Sequence, residues 1–185
     1  MTMRRAVFLD RDGVVNRAFV QDGKPTPPTR LDEVRVLPGV REACQALHEA
    51  GFVLVLVADQ PDAVQQEAAG HDVGAINQLL RRFLRLEDTR VCRRGDSPNC
   101  DCREPDAGLL IQAAKDWNID LQSSYFVGDR CPDVEAAQHA GCRAVFVDYG
   151  YQERRPVAPY LEVHSLREAA RWIVESARWE PAAYA

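Results

Sequence analysis

The segment AVFLDRDGVVN, residues Ala6–Asn16, carries the strongest structural signal of this 185-residue chain. A dense apolar run ends in two aspartates that are one residue apart, and a glycine follows at once. Such a short apolar run predicts a strand that is buried on both faces of a parallel sheet. Asp10 then lies at the carboxyl end of this strand, which is the edge where open α/β sheets bind ligands.

The two aspartates of this stretch predict a cation site. Once the chain leaves the strand, the carboxylates of Asp10 and Asp12 can both turn toward one ion. Proteins commonly hold Mg²⁺ through one or two carboxylates together with substrate phosphates. The alternative is a strand-to-loop junction with two solvated aspartates, because Asp-x-Asp-Gly by itself is a weak signal.

The composition predicts a soluble, globular chain. Hydrophobic residues make up 46% and charged residues 28%, and the formal net charge is -5. This mild acidity argues against a nucleic-acid partner. No apolar run has membrane-spanning length and no secretory leader precedes the first strand, so we expect a cytoplasmic protein without a membrane partner. In that compartment the six cysteines are expected to be reduced, and the sequence carries no signal of oligomeric state.

Apolar runs alternate with helical patterns along the chain, which predicts a doubly wound parallel sheet of the α/β class with three αβα layers. We expect a single domain over residues 1–178 and a C-terminal tail over 179–185. The expected helices are Val40–Ala50, Val73–Arg85, Asp106–Trp117, Pro132–Ala140 and Leu166–Ala177. After the first strand, the expected strands are Phe52–Val57, Thr89–Cys92, Ser124–Val127 and Ala144–Val147. In the second helix, the spacing predicts one buried face, formed by Ile76, Leu79, Leu80 and Phe83.

A second acidic cluster follows the predicted strand Ser124–Val127 and reads VGDRCPD. Asp129 lies at a strand end, as Asp10 does, and Gly128 lets the backbone approach an ion closely. Asp129 would complete the magnesium site together with Asp10 and the backbone carbonyl of Asp12, and Asp133 would support it. The alternative is that either aspartate caps the helix that starts near Pro132.

Together the two acidic clusters resemble the first and fourth motifs of the haloacid dehalogenase (HAD) superfamily of phosphotransferases. The resemblance implies a Rossmann-like core and a phosphomonoesterase that works through an aspartyl-phosphate. It also implies that Asp10 is the nucleophile and that Asp12 is the general acid and base. Many members insert a large cap domain after the first strand. Here the proline-rich loop Arg17–Leu37 is too short for one, so an open site is expected. Lys24 of this loop could reach a substrate anion, but the favoured alternative is a solvated lysine.

Three cysteines lie close together at Cys92, Cys100 and Cys102, and such clusters favour a metal. The stretch resembles the zinc loop of the heptose-bisphosphate and histidinol phosphatase branch of the superfamily. Arg94 replaces the histidine of that loop, and arginine cannot ligate zinc. Either the three thiolates hold Zn²⁺ with an outside ligand, or the loop holds none. The candidates for that outside ligand are His71 and Asp96.

Other positions depart from the pattern of this branch. Ala58 replaces a threonine whose hydroxyl binds the transferring phosphoryl group, and Glu104 replaces a lysine that neutralises phosphate. Each lost donor to a transition state typically costs about 10²–10³ in rate. The remaining candidates for substrate or phosphate contacts are Asp59, Gln60, Arg103 and Arg130.

Two functions follow from this mixture of kept and lost residues. The first is an Mg²⁺-dependent phosphatase of a small phosphorylated sugar, with heptose bisphosphate as the type substrate. The second is a catalytically impaired relative that serves as a binding or scaffold subunit. The retained aspartates favour metal binding in either case, because they are costly to hold together without a cation.

Overall fold

The computed structural model describes residues 2–59, 72–92 and 105–179. Its strands are β1 (Ala6–Asp10), β2 (Phe19–Gln21), β3 (Lys24–Thr26), β4 (Val53–Asp59), β5 (Asp88–Cys92), β6 (Tyr125–Gly128), β7 (Arg143–Val147) and β8 (Leu161–Val163). Its helices are α1 (Val40–Glu49), α2 (Val73–Leu84), α3 (Gly108–Trp117), α4 (Cys131–Ala140) and α5 (Leu166–Trp179). A 3-10 helix spans Leu31–Glu33.

Six strands form one parallel sheet in the order β5-β4-β1-β6-β7-β8. The chain winds outward from β1 in both directions, so β1 is a central strand with β4 on one side and β6 on the other. The order of connection reverses beside β1, and open α/β sheets bind ligands at such a reversal. The fold therefore brings the ends of β1 and β6, with their acidic residues, to the same place.

Alternation within β1 builds the two halves of the core. Val7 and Leu9 pack in a cluster with residues of α1, α2 and α5. Ala6 and Phe8 face the other way, into a cluster with residues of α3 and α4. All four side chains are fully buried, as expected for a strand with helices on both faces. This confirms the predicted three-layer α/β fold.

The segment between β1 and α1 holds an antiparallel hairpin, β2 with β3, and the 3-10 helix. Sequence reasoning predicted an extended loop here and missed this hairpin, because its strands are three residues long and largely exposed. It also missed the edge strand β8. No cap domain is present in this segment, as expected from its length.

The predicted buried face of α2 is wrong in part. Ile76 and Leu80 are fully buried, but Leu79 and Phe83 are 45% and 48% exposed. Leu84 is buried instead, so the face that meets the sheet repeats every four residues. Leu79 and Phe83 lie about 100° around the helix from their buried neighbours, so they point away from the core.

The last helix continues through Trp179, one residue into the predicted tail. Residues 180–185 lie outside the described ranges. Within those ranges, no helix combines the length and the apolar character that crossing a bilayer demands.

Candidate active site

Asp10 ends β1 at the carboxyl edge of the sheet, level with Val57 of β4. The residue keeps partial exposure at this edge, which leaves room for a ligand to reach it. A tight turn follows, in which the N–H groups of Val15 and Asn16 both donate to the carbonyl oxygen of Arg11, at 3.1 and 2.8 Å. This turn folds Asp12 back over the end of the strand.

Asp12 does not share the environment of Asp10. One of its carboxylate oxygens, Oδ2, accepts a hydrogen bond from Arg11 Nε at 2.7 Å. The other, Oδ1, accepts one from Asn16 Nδ2 at 3.1 Å. The Asp12 side chain remains 18% exposed, so a substrate can reach a carboxylate whose orientation is already fixed.

Asp129 follows β6 and comes to the β1 turn, as predicted. It is 1% exposed, and neither of its carboxylate oxygens has a hydrogen-bond partner within the described part of the chain. Gly13 makes this approach possible. A Cβ at position 13 would lie 1.8 Å from Asp129 Oδ2, and the φ of +96° also favours glycine.

Asp133 lies one helical turn further, on α4. Its Oδ2 accepts a hydrogen bond from the backbone N–H of Arg130 at 2.8 Å, at the start of the helix. Asp133 therefore takes part in capping α4 from the third residue of the helix, while Arg130 is the N-cap residue, and Asp129 makes no such bond. Gly128 has no side chain because Asp133 fills that space: a Cβ there would lie 2.2 Å from the Asp133 Cβ.

Four carboxylates thus meet at one edge of the sheet. Burial raises the pKa of Asp10 well above its ordinary value, and the charges of Asp133, Asp129 and Asp12 raise it further. Burial also raises the pKa of Asp129 well above its ordinary value, again with Asp133 adding to the effect. Both shifts reflect the cost of holding buried anions side by side without a cation.

The donor set fits Mg²⁺. Buried carboxylate oxygens without a partner are rare in folded proteins. Within the described residues, neither oxygen of Asp129 has a partner with ordinary hydrogen-bond geometry, although the Tyr151 hydroxyl is close enough to lower the pKa of Asp129 in part, and the charge of Asp129 acts on Asp10. No three His, Cys, Asp or Glu side chains are grouped to hold a metal within residues 2–59, 72–92 and 105–179. Mg²⁺ does not require three, because it is usually bound through one or two carboxylates plus waters and substrate phosphates.

The loop after β7 forms a wall beside Asp129. Asp129, Tyr151 and Arg130 line a cavity of about 270 Å³ together with Phe146 and residues of the loop. Arg130, predicted to contact phosphate, donates instead to both carboxylate oxygens of Glu153, at 2.9 and 2.6 Å. Its contact with phosphate stays a prediction.

Sequence reasoning missed Tyr151, Asn16 and the side chain of Arg11 at this site. Burial and the negative charge of Asp129 raise the pKa of Tyr151, so its hydroxyl keeps its proton. Tyr151 follows β7 in a loop without any recognisable pattern. In the sequence, Arg11 cannot be told from a surface arginine, and only the folded structure shows that it is buried. Only the tertiary structure could therefore place Tyr151 and Arg11 at this site.

Several predicted site residues lie outside the described ranges, namely Gln60, Arg103, Cys100 and Cys102, together with His71, Arg94, Asp96 and Glu104. Asp59 is described only as the last residue of β4. Cys92 ends β5 and is fully buried. The substrate contacts and the zinc site that depend on these residues stay predictions.

Comparison with known proteins identifies the family. The profile of haloacid dehalogenase-like hydrolases matches residues 28–141. The chain belongs to this family. A relative from Yersinia pestis, named D-glycero-beta-D-manno-heptose-1,7-bisphosphate 7-phosphatase, is 32% identical over 92% of this chain and 90% of its own. One from Thermosynechococcus vestitus, named D-glycero-D-manno-heptose-1,7-bisphosphate 7-phosphatase, is 30% identical over 82% of each chain.

A solved structure supports the same assignment. It is the D,D-heptose 1,7-bisphosphate phosphatase from B. bronchiseptica, complexed with magnesium and phosphate. The TM-score is 0.78 at 26% identity, over 93% of this chain and 99% of that one. These findings confirm the predicted family, the HAD-type fold and an enzyme of the phosphoric monoester hydrolase class.

The raised pKa values predict how stability responds to pH and to magnesium. Below about pH 4, Asp10 and Asp129 are protonated in both the folded and the unfolded chain. As the pH rises above that range, the unfolded chain releases these protons first, so these two groups should make the metal-free protein progressively less stable. Magnesium offsets the buried charge, so it should raise Tm more at about pH 8 than at about pH 5. Thermal melts with EDTA or with Mg²⁺ measure both effects.

The control for this prediction is Asp129→Asn, which removes one buried charge with little change in shape. Without metal at about pH 8 it should melt above the wild-type protein, and it should gain much less from Mg²⁺. An equal gain in the two proteins would show that magnesium does not bind at Asp129.

Gly13→Ala should abolish magnesium binding, because the new Cβ would displace the Asp129 carboxylate. The left-handed backbone strains an alanine at this position, which should lower the free energy of unfolding by about 1–3 kcal/mol. Calorimetric titration with Mg²⁺ checks the first effect and denaturant unfolding the second. Gly141→Ala is the matched control, with a φ of +77° and no atom within 4 Å. It should lose stability but keep magnesium binding, and normal magnesium binding by Gly13→Ala would contradict the assignment.

Proposed function

We propose that the chain is an Mg²⁺-dependent phosphomonoesterase that hydrolyses a sugar phosphate through an aspartyl-phosphate. The observation that carries the proposal is the convergence of partly exposed Asp10, oriented Asp12 and unpartnered Asp129 at one edge of the sheet. A nucleophile, a proton-transfer group and a cation ligand are the parts that this reaction requires.

In the first half-reaction, an Oδ atom of Asp10 attacks phosphorus and the bond from phosphorus to the sugar oxygen breaks. The sugar leaves as an alcohol when the carboxyl group of Asp12 gives its proton to the departing oxygen. The phosphoryl group is then held as a mixed anhydride on Asp10.

In the second half-reaction, the carboxylate of Asp12 takes a proton from a water molecule as that water attacks phosphorus. The bond between phosphorus and Asp10 breaks, inorganic phosphate leaves, and both aspartates return to their starting states. One residue serves as acid and then as base, so its carboxylate must stay close to the phosphoryl group throughout.

The residues that would hold Mg²⁺ are Asp10 and Asp129 through their carboxylates, and Asp12 through its backbone carbonyl. Asp133 supports this set by fixing the start of α4, directly after Asp129. When bound, the cation neutralises charge on the phosphoryl oxygens and on the buried aspartates.

A heptose bisphosphate is the proposed type of substrate, because the Yersinia pestis and Thermosynechococcus vestitus relatives carry that name. The segment between β1 and α1 adds only a hairpin, whose Gly23 carbonyl accepts a hydrogen bond from Gln152 N–H at 2.9 Å. A site without a cap domain suits a substrate that brings its own bulk. The alternative of an impaired binding subunit is not favoured, since the described acidic groups are complete.

The direct test is phosphate release from D-glycero-β-D-manno-heptose 1,7-bisphosphate with Mg²⁺. We expect turnover by the wild-type protein and a loss of at least about 10³-fold in Asp10→Asn, because an amide cannot replace the carboxylate as the nucleophile that accepts the phosphoryl group. Equal release by both proteins would overturn the proposed nucleophile. No release by the wild-type protein from this or other sugar phosphates would overturn the proposed function.

Ala58→Thr should raise turnover by about 10²–10³-fold, by restoring a hydroxyl donor to the phosphoryl oxygens. Ala58 lies near the end of β4 and is 3% exposed, so the larger side chain also tests the local packing. Ala58→Val is the matched control, since it adds the same bulk without the hydroxyl. If the valine variant gains as much as the threonine variant, the missing hydroxyl does not limit the rate.

A further inference from the structure

Arg11 is the largest fully buried side chain in the described part of the protein, with 1% exposure. Its guanidinium lies between Asp12 and α2. Nε donates to Asp12 Oδ2 at 2.7 Å, and an Nη atom lies 2.5 Å from the same oxygen. The other Nη donates to Asn77 Oδ1 at 3.0 Å. A buried arginine is costly unless it is paired, and this one is paired with the proposed acid and base.

The second oxygen of Asp12 is held from the opposite side by Asn16. The Asn16 side chain is fully buried, and its Oδ1 accepts a hydrogen bond from the backbone N–H of Arg35 at 2.8 Å. Its amide nitrogen is therefore fixed where it donates to Asp12 Oδ1. Arg11 and Asn16 together define the plane of the Asp12 carboxylate.

We propose that Arg11 is a positioning residue for Asp12, anchored in turn by Asn77 of α2. The inference rests on the proposed function, because it assigns Arg11 to the proton transfers of that reaction. A proton-transfer group must lie within hydrogen-bond reach of the atom it serves, and a misplacement of about 1 Å can cost 10²-fold in rate. Without Arg11, the Asp12 carboxylate keeps its chemistry and its hydrogen bond from Asn16, but loses the contacts that fix Oδ2.

Acetyl phosphate separates the two half-reactions. When Asp10 attacks its phosphorus, the bond from phosphorus to the acetyl oxygen breaks and acetate leaves as a stable anion, without needing a proton. Hydrolysis of the aspartyl-phosphate still requires Asp12 to take a proton from the attacking water. A defect in Asp12 positioning should therefore slow the second step and spare the first.

The experiment follows formation and decay of the phosphoenzyme from ³²P-acetyl phosphate with Mg²⁺. In Arg11→Met, formation should stay within about threefold of wild type and decay should slow by about 10- to 100-fold, so phosphoenzyme accumulates. With heptose bisphosphate, whose leaving group needs a proton, formation should slow as well. Asn77→Leu, which removes the anchor but keeps the arginine, should slow decay by a smaller factor.

Two controls separate positioning from general damage. Arg5→Met removes another arginine of the first strand region, one that packs over Phe52 and bonds Ala50 O away from the site. It should leave both rates unchanged. In an Asp12→Asn background, Arg11→Met should slow decay no further, because a residue that acts through Asp12 has no effect once Asp12 cannot take the proton.

The outcomes separate this inference from the proposed function. Wild-type decay in Arg11→Met, or a further loss in the Asp12→Asn background, overturns the positioning role and leaves the phosphatase proposal standing. Absence of both phosphoenzyme and phosphate release in the wild-type protein overturns the two together. If Arg11→Met fails to fold, Asn77→Leu decides: slowed decay supports the role, and wild-type decay overturns it.

Discussion

The convergence of four carboxylates at the carboxyl edge of the sheet is the constraint on which the site depends. The pairing of β1 with β6 brings Asp10 and Asp129 to the same edge of the sheet. Burial disfavours the charged form of each carboxylate, and the neighbouring negative charges disfavour it further. Such an arrangement is unfavourable unless a cation is part of the working protein. Gly13 and Gly128 leave room for this cluster, because a Cβ at either position would clash with Asp129 or Asp133.

The remaining two carboxylates have hydrogen-bond donors from the protein itself. Asp133 is satisfied by the backbone at the start of α4, and Asp12 is paired with buried Arg11. The edge therefore divides into an oriented pair, Asp12 and Asp133, and a pair whose pKa values are raised, Asp10 and Asp129. That division matches a reaction that needs one carboxylate for proton transfer and others for a cation and a phosphoryl group.

Sequence reasoning reached the fold and the acidic cluster because both depend on local patterns. Unbroken apolar runs predict buried parallel strands, and aspartates at their ends must meet at one edge. The hairpin β2–β3 was not predicted, because strands so short and exposed show no alternation of apolar and polar residues. The exposed position of Phe83 was not predicted either, because Phe83 has the helical spacing of a core residue. The contacts of Arg11 with Asp12 and Asn77 were not predicted for another reason. Asn77 is distant in sequence, and only the packing of α2 against the turn after β1 brings it to Arg11.

Asp10 and Asp129 are arranged as ligands of one cation. The most direct measurement is an anomalous difference map from a crystal of the wild-type protein soaked in Mn²⁺ as a substitute for Mg²⁺. We expect one strong peak that contacts the carboxylates of Asp10 and Asp129 and the backbone carbonyl of Asp12. An empty site with both carboxylates in place, or a peak bound elsewhere, would contradict the account.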